Sequence, residues 1–233
     1  MKPPISTLSP FADHSSGNSH LPCLGILECL GWTASLVALD AMAKGTNIRL
    51  IQAEWNDMLG SVVKIAGSVD EVEMALELGK AKAASFFPED PNGNTIVRQI
   101  SSPDPDALRA ILSPDEYNAL IEQPVVKQSG HPYSTSESSP MSSPSSLALG
   151  FIETQGFTAV FEAIDTACKS ASVEVVGKEK LGGGYVTVVI RGDVAAVHAA
   201  IEAAKPKVEG LGKLIACHVI ARPSQAALGL LPK

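Results

Sequence analysis

Three kinds of residue in this chain could carry chemistry: five histidines, four cysteines and a run of three glycines, Gly182-Gly183-Gly184. The histidines are dispersed. His14, His20 and His131 fall in Ser- and Pro-rich segments, His198 in a helical pattern and His218 in a strand pattern. No serine, cysteine or carboxylate recurs with them as a nucleophile–base pair would require. Cys23, Cys29, Cys168 and Cys217 contain no Cys-x-x-Cys spacing, which disfavours metal ligation. Cys168 and Cys217 lie in apolar segments, where cysteine behaves as a small hydrophobe, so reduced thiols are expected rather than a disulfide framework. The glycine run lacks a following Lys-Ser/Thr and opens no helix, so it is not a phosphate loop. No carboxylate pair is placed to converge. These residues predict no enzyme, no cofactor and no metal.

The elements around them are written twice. Residues 24–79 and 149–204 repeat 125 positions apart without a gap. Leu24-Gly25-Ile26-Leu27-Glu28 returns as Leu149-Gly150-Phe151-Ile152-Glu153, and Gly31, Thr33, Ala38, Asp40 and Lys44 return as Gly156, Thr158, Ala163, Asp165 and Lys169. The period exceeds that of a solenoid unit and marks a duplicated domain. In the second copy, strands are expected at 148–154, 173–178, 185–191 and 214–220, helices over 157–170 and from 194 to about 204, and a short helix at 224–228. The first copy follows with strands at 24–29, 48–54 and 61–66, helices at 32–45 and 69–84, and a last strand displaced to 95–103. The order β-α-β-β-α-β is the split βαβ, ferredoxin-like arrangement of an α+β fold. Glu28 and Glu153 recur at matching strand ends, which points to structural roles such as interdomain hydrogen bonds.

The remaining segments read as connections. Residues 1–21 are a flexible arm, 22–112 a first domain, 113–146 a helix and Ser/Pro-rich linker, 147–228 a second domain and 229–233 a tail. Residues 104–123 are expected to be helical, and Ser113-Pro114-Asp115-Glu116 within them is a good helix start. The chain has 233 residues and a net charge of −7, which argues against a general nucleic-acid binder. No signal peptide and no apolar run of membrane-spanning length is evident.

The second copy resembles the bacterial microcompartment shell domain. The resemblance is carried by Leu149-Gly150-Phe151-Ile152-Glu153-Thr154-Gln155-Gly156, Ala163-Ile164-Asp165-Thr166-Ala167-Cys168-Lys169, Gly177-Lys178-Glu179-Lys180-Leu181-Gly182-Gly183-Gly184-Tyr185, Arg191-Gly192-Asp193 and His218-Val219-Ile220-Ala221-Arg222-Pro223. The first copy, 23–108, resembles a more divergent member, with both copies in the unpermuted strand order. The resemblance implies a homotrimer whose six domains form a flat pseudohexameric tile in the shell of a cytoplasmic microcompartment. Such a tile meets hexameric and pentameric shell proteins and encloses enzymes, with no nucleic acid and no membrane among its partners.

It also implies roles for particular residues. Lys44, Lys169 and Arg222 match tile-edge positions, while Ser102 replaces the arginine in the first copy. The turns Asn56-Asp57-Met58-Leu59 and Leu181-Gly182-Gly183-Gly184 match the lining of a central pore for small polar solutes. Some tandem members hold an iron–sulfur cluster through a cysteine in this turn; no cysteine lies between positions 30 and 167 here. Two other classes stay open: a trimeric small-molecule-binding regulatory protein, since split βαβ domains also build ligand-sensing rings, and an electron carrier using the cysteines.

Overall fold

The computed structural model describes residues 23–55, 60–90, 94–104, 117–118, 123–128 and 147–232. The first domain runs β1 (Cys23–Leu30), α1 (Trp32–Gly45), β2 (Arg49–Trp55), β3 (Gly60–Gly67), α2 (Val69–Ala84) and β4 (Thr95–Ile100). After it come β5 (Tyr117–Asn118), β6 (Gln123–Pro124) and β7 (Val126–Gln128). The second domain runs β8 (Ala148–Gln155), α3 (Phe157–Ser170), β9 (Val173–Gly182), β10 (Tyr185–Gly192), α4 (Val194–Ala204), a 3-10 turn at Lys205–Val208, β11 (Lys213–Ile220) and α5 (Gln225–Gly229). The expected helices over 32–45, 69–84 and 157–170 have these bounds.

The first sheet has the order β4-β1-β3-β2-β7 and the second β11-β8-β10-β9. In both, the third strand of the repeat inserts antiparallel between the first two, which is the split βαβ topology. Helices cover one face of each sheet. Matched glycines let them approach: a Cβ on Gly25 would lie 2.8 Å from Val72, and one on Gly150 would lie 2.6 Å from Val197. The start of α2 is secured by a capping box, in which the Ser68 hydroxyl accepts the Glu71 N–H and the Glu71 carboxylate accepts the Ser68 N–H.

The described part of the expected 104–123 helix is extended instead. Tyr117–Asn118 pairs antiparallel with Gln123–Pro124, and Val126–Gln128 adds a fifth strand beside β2. Pro124 disfavours helix at the residue before it, and three β-compatible residues suffice to extend a sheet edge. The proposed helix start at 113–116 lies outside the described residues.

The largest core cluster crosses the domain boundary. It joins Trp32, Leu36, Leu39 and Trp55 to Leu149, Phe151, Leu181, Tyr185, Val189 and Ile220. The helix-free face of the second sheet thus packs on α1 of the first domain. A separate cluster, including Ile152, Ala163, Ile190, Val197 and Ile201, fills the space between the second sheet and its own helices.

Candidate functional site

The joint between the two domains is where buried polar chemistry concentrates. Glu153 lies on the helix-free face of β8 and is 1% exposed. Its two carboxylate oxygens accept the backbone N–H groups of Trp32 at 3.1 Å and Thr33 at 3.0 Å. These are first-turn donors of α1, which have no partner inside the helix. Gly31 at the start of α1 has no side chain to cap it, so the second domain supplies the acceptors that the positive helix end favours. Burial pushes the Glu153 carboxyl above its usual range, against the pull of hydrogen bonds from Thr33, Trp32 and Thr187. The structural role read from the recurrence of Glu28 and Glu153 is therefore present at Glu153. Beside it, the Trp32 ring meets Phe151 at 5.7 Å and Trp55 at 6.2 Å.

Two further polar links close the joint. Lys127 on β7 forms an ion pair with the buried Glu179 of β9, donates to the Leu230 carbonyl at 3.2 Å and stands 5.4 Å over the Trp55 ring. Burial raises the Glu179 carboxyl, partly offset by the Lys127 charge. Asp40 accepts the Ser224 N–H at 2.7 Å, where α5 begins, and pairs with Lys44. His218 of β11 meets the Phe86 ring at 5.5 Å, tilted by 56°, across the joint, and its imidazole is held below its ordinary value by burial and Lys82. Lys127 lies outside the duplicated segments, so no repeat signal marked it. Glu179 carried one, the match to Glu54.

The glycine turn stands at the end of the β9–β10 hairpin. Gly182, Gly183 and Gly184 have φ of 86°, 53° and 81°, a backbone that side-chain-bearing residues rarely adopt. A Cβ on Gly182 would meet nothing within 4 Å, so the backbone conformation demands glycine there and the available space does not. The turn is tied to the start of α3: the Gly156 N–H donates to the Gly184 carbonyl at 2.8 Å, and the Gln155 amide to the Gly183 carbonyl at 3.2 Å. Gly183 and Gly184 are exposed. Leu181, read with them as a lining residue, is 3% exposed and packs in the interdomain core instead. It sits opposite a register irregularity in the ladder, where β9 gains a residue on β10. Asn56, Asp57, Met58 and Leu59 lie outside the described residues. Trp55, which leads into that turn, shares the interdomain cluster with Leu181 and Tyr185.

The edge candidates differ between copies. Lys169 and Asp165 pair at 2.5 Å, both exposed. Lys44 pairs with an Asp40 already bound into the joint. Arg222 and Ser102 are exposed. The four cysteines are free thiols, and Cys168, expected to behave as a small hydrophobe, is exposed. Burial pushes the Cys29 thiol up to about 12 and Cys217 to about 11, values at which thiolate is scarce and nucleophilic or redox chemistry is poorly served. Among the described residues, no group of three or more His, Cys, Asp or Glu could hold a metal ion, and no helix is long and apolar enough to cross a membrane.

A family model described as the BMC domain matches residues 23–91 and 148–223. The bacterial microcompartment shell protein PduA of Citrobacter freundii is 50% identical over 86 residues, covering 37% of this chain and 92% of that protein. The carboxysome shell protein CsoS1C of Halothiobacillus neapolitanus is 44% identical over 94 residues, covering 40% of this chain and 96% of that protein. A crystal structure of a microcompartment protein from Desulfitobacterium hafniense is 24% identical, covers 87% of this chain and 95% of that one, and superposes with a TM-score of 0.33. The two shell proteins are each about one domain long, whereas this chain holds two.

Proposed function

The chain belongs to the BMC-domain family, the family of microcompartment shell proteins, and from that premise we propose that it is a structural shell subunit forming a homotrimeric, pseudohexameric tile. The observation that carries this reading is the joint: the helix-free face of one domain covers the first helix of the other, through Glu153 on Trp32 and Thr33. This contact is head to tail. Repeating it adds domains in one rotational sense, and a head-to-tail contact that closes makes a ring. Three chains supply six domains.

The tile carries a central pore for small polar solutes. Gly182, Gly183 and Gly184 line it from the second domain, and Asn56, Asp57, Met58 and Leu59 from the first. The common cluster of Trp55, Leu181 and Tyr185 supports bringing both turns to one end of the joint. Exposed glycine N–H groups favour anions or neutral polar solutes, and a ring of Asp57 carboxylates favours cations. Lys169 and Arg222, with Lys44 in a weaker role, contact neighbouring hexameric and pentameric shell proteins around enclosed enzymes. The domain limits 22–112 and 147–228 follow the same reading, with β7 added to the first sheet from the connecting segment.

The test is assembly. Purified protein should have three times the 24.3 kDa chain mass and form sheets or tubes visible by electron microscopy. Lys169→Ala and Arg222→Ala should abolish the sheets while keeping the trimer. A monomeric wild-type protein would overturn the proposal.

A further inference from the structure

The second helix is written differently in the two copies, and the difference lies on its outer face. Met74 and Leu78 of α2 return as Ala199 and Ala203 of α4. Met74 is 52% and Leu78 38% exposed, while the inner face of the same helix buries Val72, Ala75, Leu76 and Gly79. The two outward residues stand one turn apart and form a single ridge. Room is made for it at the end of α1: Leu78 lies against Gly45, so closely that a Cβ there would collide with it. The second copy has Ser170 in place of Gly45 and Ala203 in place of Leu78, so the two positions are fitted to each other in the first copy alone. Acids border the ridge. Asp70, Glu73 and Glu77 are exposed on its flank, and their repeats are Ala195, His198 and Glu202. Asp70 lies in the first turn, where an acid suits the positive helix end; Glu73 and Glu77 lie past it.

We propose that this ridge docks an amphipathic helix of another protein, with its apolar stripe on Met74 and Leu78 and its lysines or arginines against Glu73 and Glu77. Methionine beside leucine is the composition of adaptable binding surfaces. A narrow ridge along a helix axis matches the stripe of a second helix rather than the plane of a sheet. The charge names the occupant: an acid-bordered stripe attracts a basic border and repels an acidic one. The whole chain carries a net charge of −7, which disfavours a second copy in that place. Met74 and Leu78 take no part in the interdomain cluster, so the surface stands whether or not the ring closes.

The experiment uses the full chain and two synthetic helical peptides of about 20 residues with the same leucine stripe, one bordered by lysines and one by glutamates. Fluorescence anisotropy should show the lysine-bordered peptide binding and the glutamate-bordered one not. Met74→Ala with Leu78→Ala, which gives α2 the residues that α4 has, should weaken binding about 10-fold or more and leave far-UV circular dichroism unchanged. Glu73→Gln with Glu77→Gln should weaken it about 3-fold or more and flatten its dependence on salt. A lysine-bordered peptide left unbound, equal binding of both peptides, or binding untouched by Met74→Ala with Leu78→Ala would overturn the proposal. So would a native mass that falls in that variant, since a second copy would then be the occupant. The mass of the wild-type assembly bears only on the ring, so the two readings fail separately.

Discussion

Lys127 and Glu179 form an ion pair that ties the edge of the first sheet to the second sheet. Lys127 sits on the added edge strand of the first sheet, and Glu179 on the second sheet, 3% exposed at its side chain. A buried carboxylate that loses its paired cation keeps its desolvation cost without the compensating attraction. Lys127→Met should therefore cost about 3–5 kcal/mol, and Lys127→Met with Glu179→Gln should recover most of it. Urea titration of the single and double variants measures the difference; equal loss in both would refute the coupling.

Glu153→Ala orphans two buried N–H donors at once. The expected loss is about 2–4 kcal/mol. The pH dependence has a definite sign. Burial raises the folded carboxyl above the ordinary 4.5, so the folded protein holds this proton more tightly than the unfolded chain does. The contribution of Glu153 is then greatest below pH 4.5 and declines as pH rises through its folded value. Glu153→Gln should flatten that segment of a melting-temperature profile.

His218 acts in the opposite direction. Burial and Lys82, with His198, outweigh Asp40 and hold the imidazole below its ordinary 6.5. The stability it contributes is complete above pH 6.5 and is lost as pH falls through the folded value, because the unfolded chain takes up the proton first. His218→Phe keeps a ring against Phe86 and should remove this acid sensitivity. Thermal melts from pH 7 down to 5 on both proteins decide it.

Gly183→Ala places a Cβ on a residue with φ of 53°. The left-handed backbone costs a residue with a side chain about 1–2 kcal/mol. Asn tolerates that region better than Ala, so Gly183→Asn should lose less. If both substitutions cost the same in denaturant titrations, backbone conformation is not what holds glycine in this turn.

The helices were legible because their apolar spacing is strong and their ends are marked: Gly31 and Gly156 precede α1 and α3, and Ser68 with Glu71 opens α2. The split βαβ order followed from the repeat itself. Strand β7 was hidden, since three residues at a sheet edge carry too little alternation to register. Of the joint, Glu153 could be read from its recurrence with Glu28, whereas Lys127 has no counterpart and was invisible. Leu181 turns into the interdomain core where the ladder slips, a direction that adjacency to the glycines does not carry. Cys168 is exposed because α3 has two apolar faces, one turned to its own sheet through Ala159, Ala163 and Ala167 and one outward with Phe157 and Phe161, and an apolar stretch alone does not tell them apart.

Burying Trp32, Leu36 and Leu39 under a sheet whose last covering residue, Ile220, follows roughly 180 residues later has a cost during synthesis. At about 5–20 residues per second, the first half leaves the ribosome about 9–36 seconds before its cover is complete. For that interval the nascent chain offers an adhesive stripe to chaperones and to its neighbours on the same message. A product truncated before Leu149 never receives its cover, and it should accumulate as aggregate rather than as a folded half.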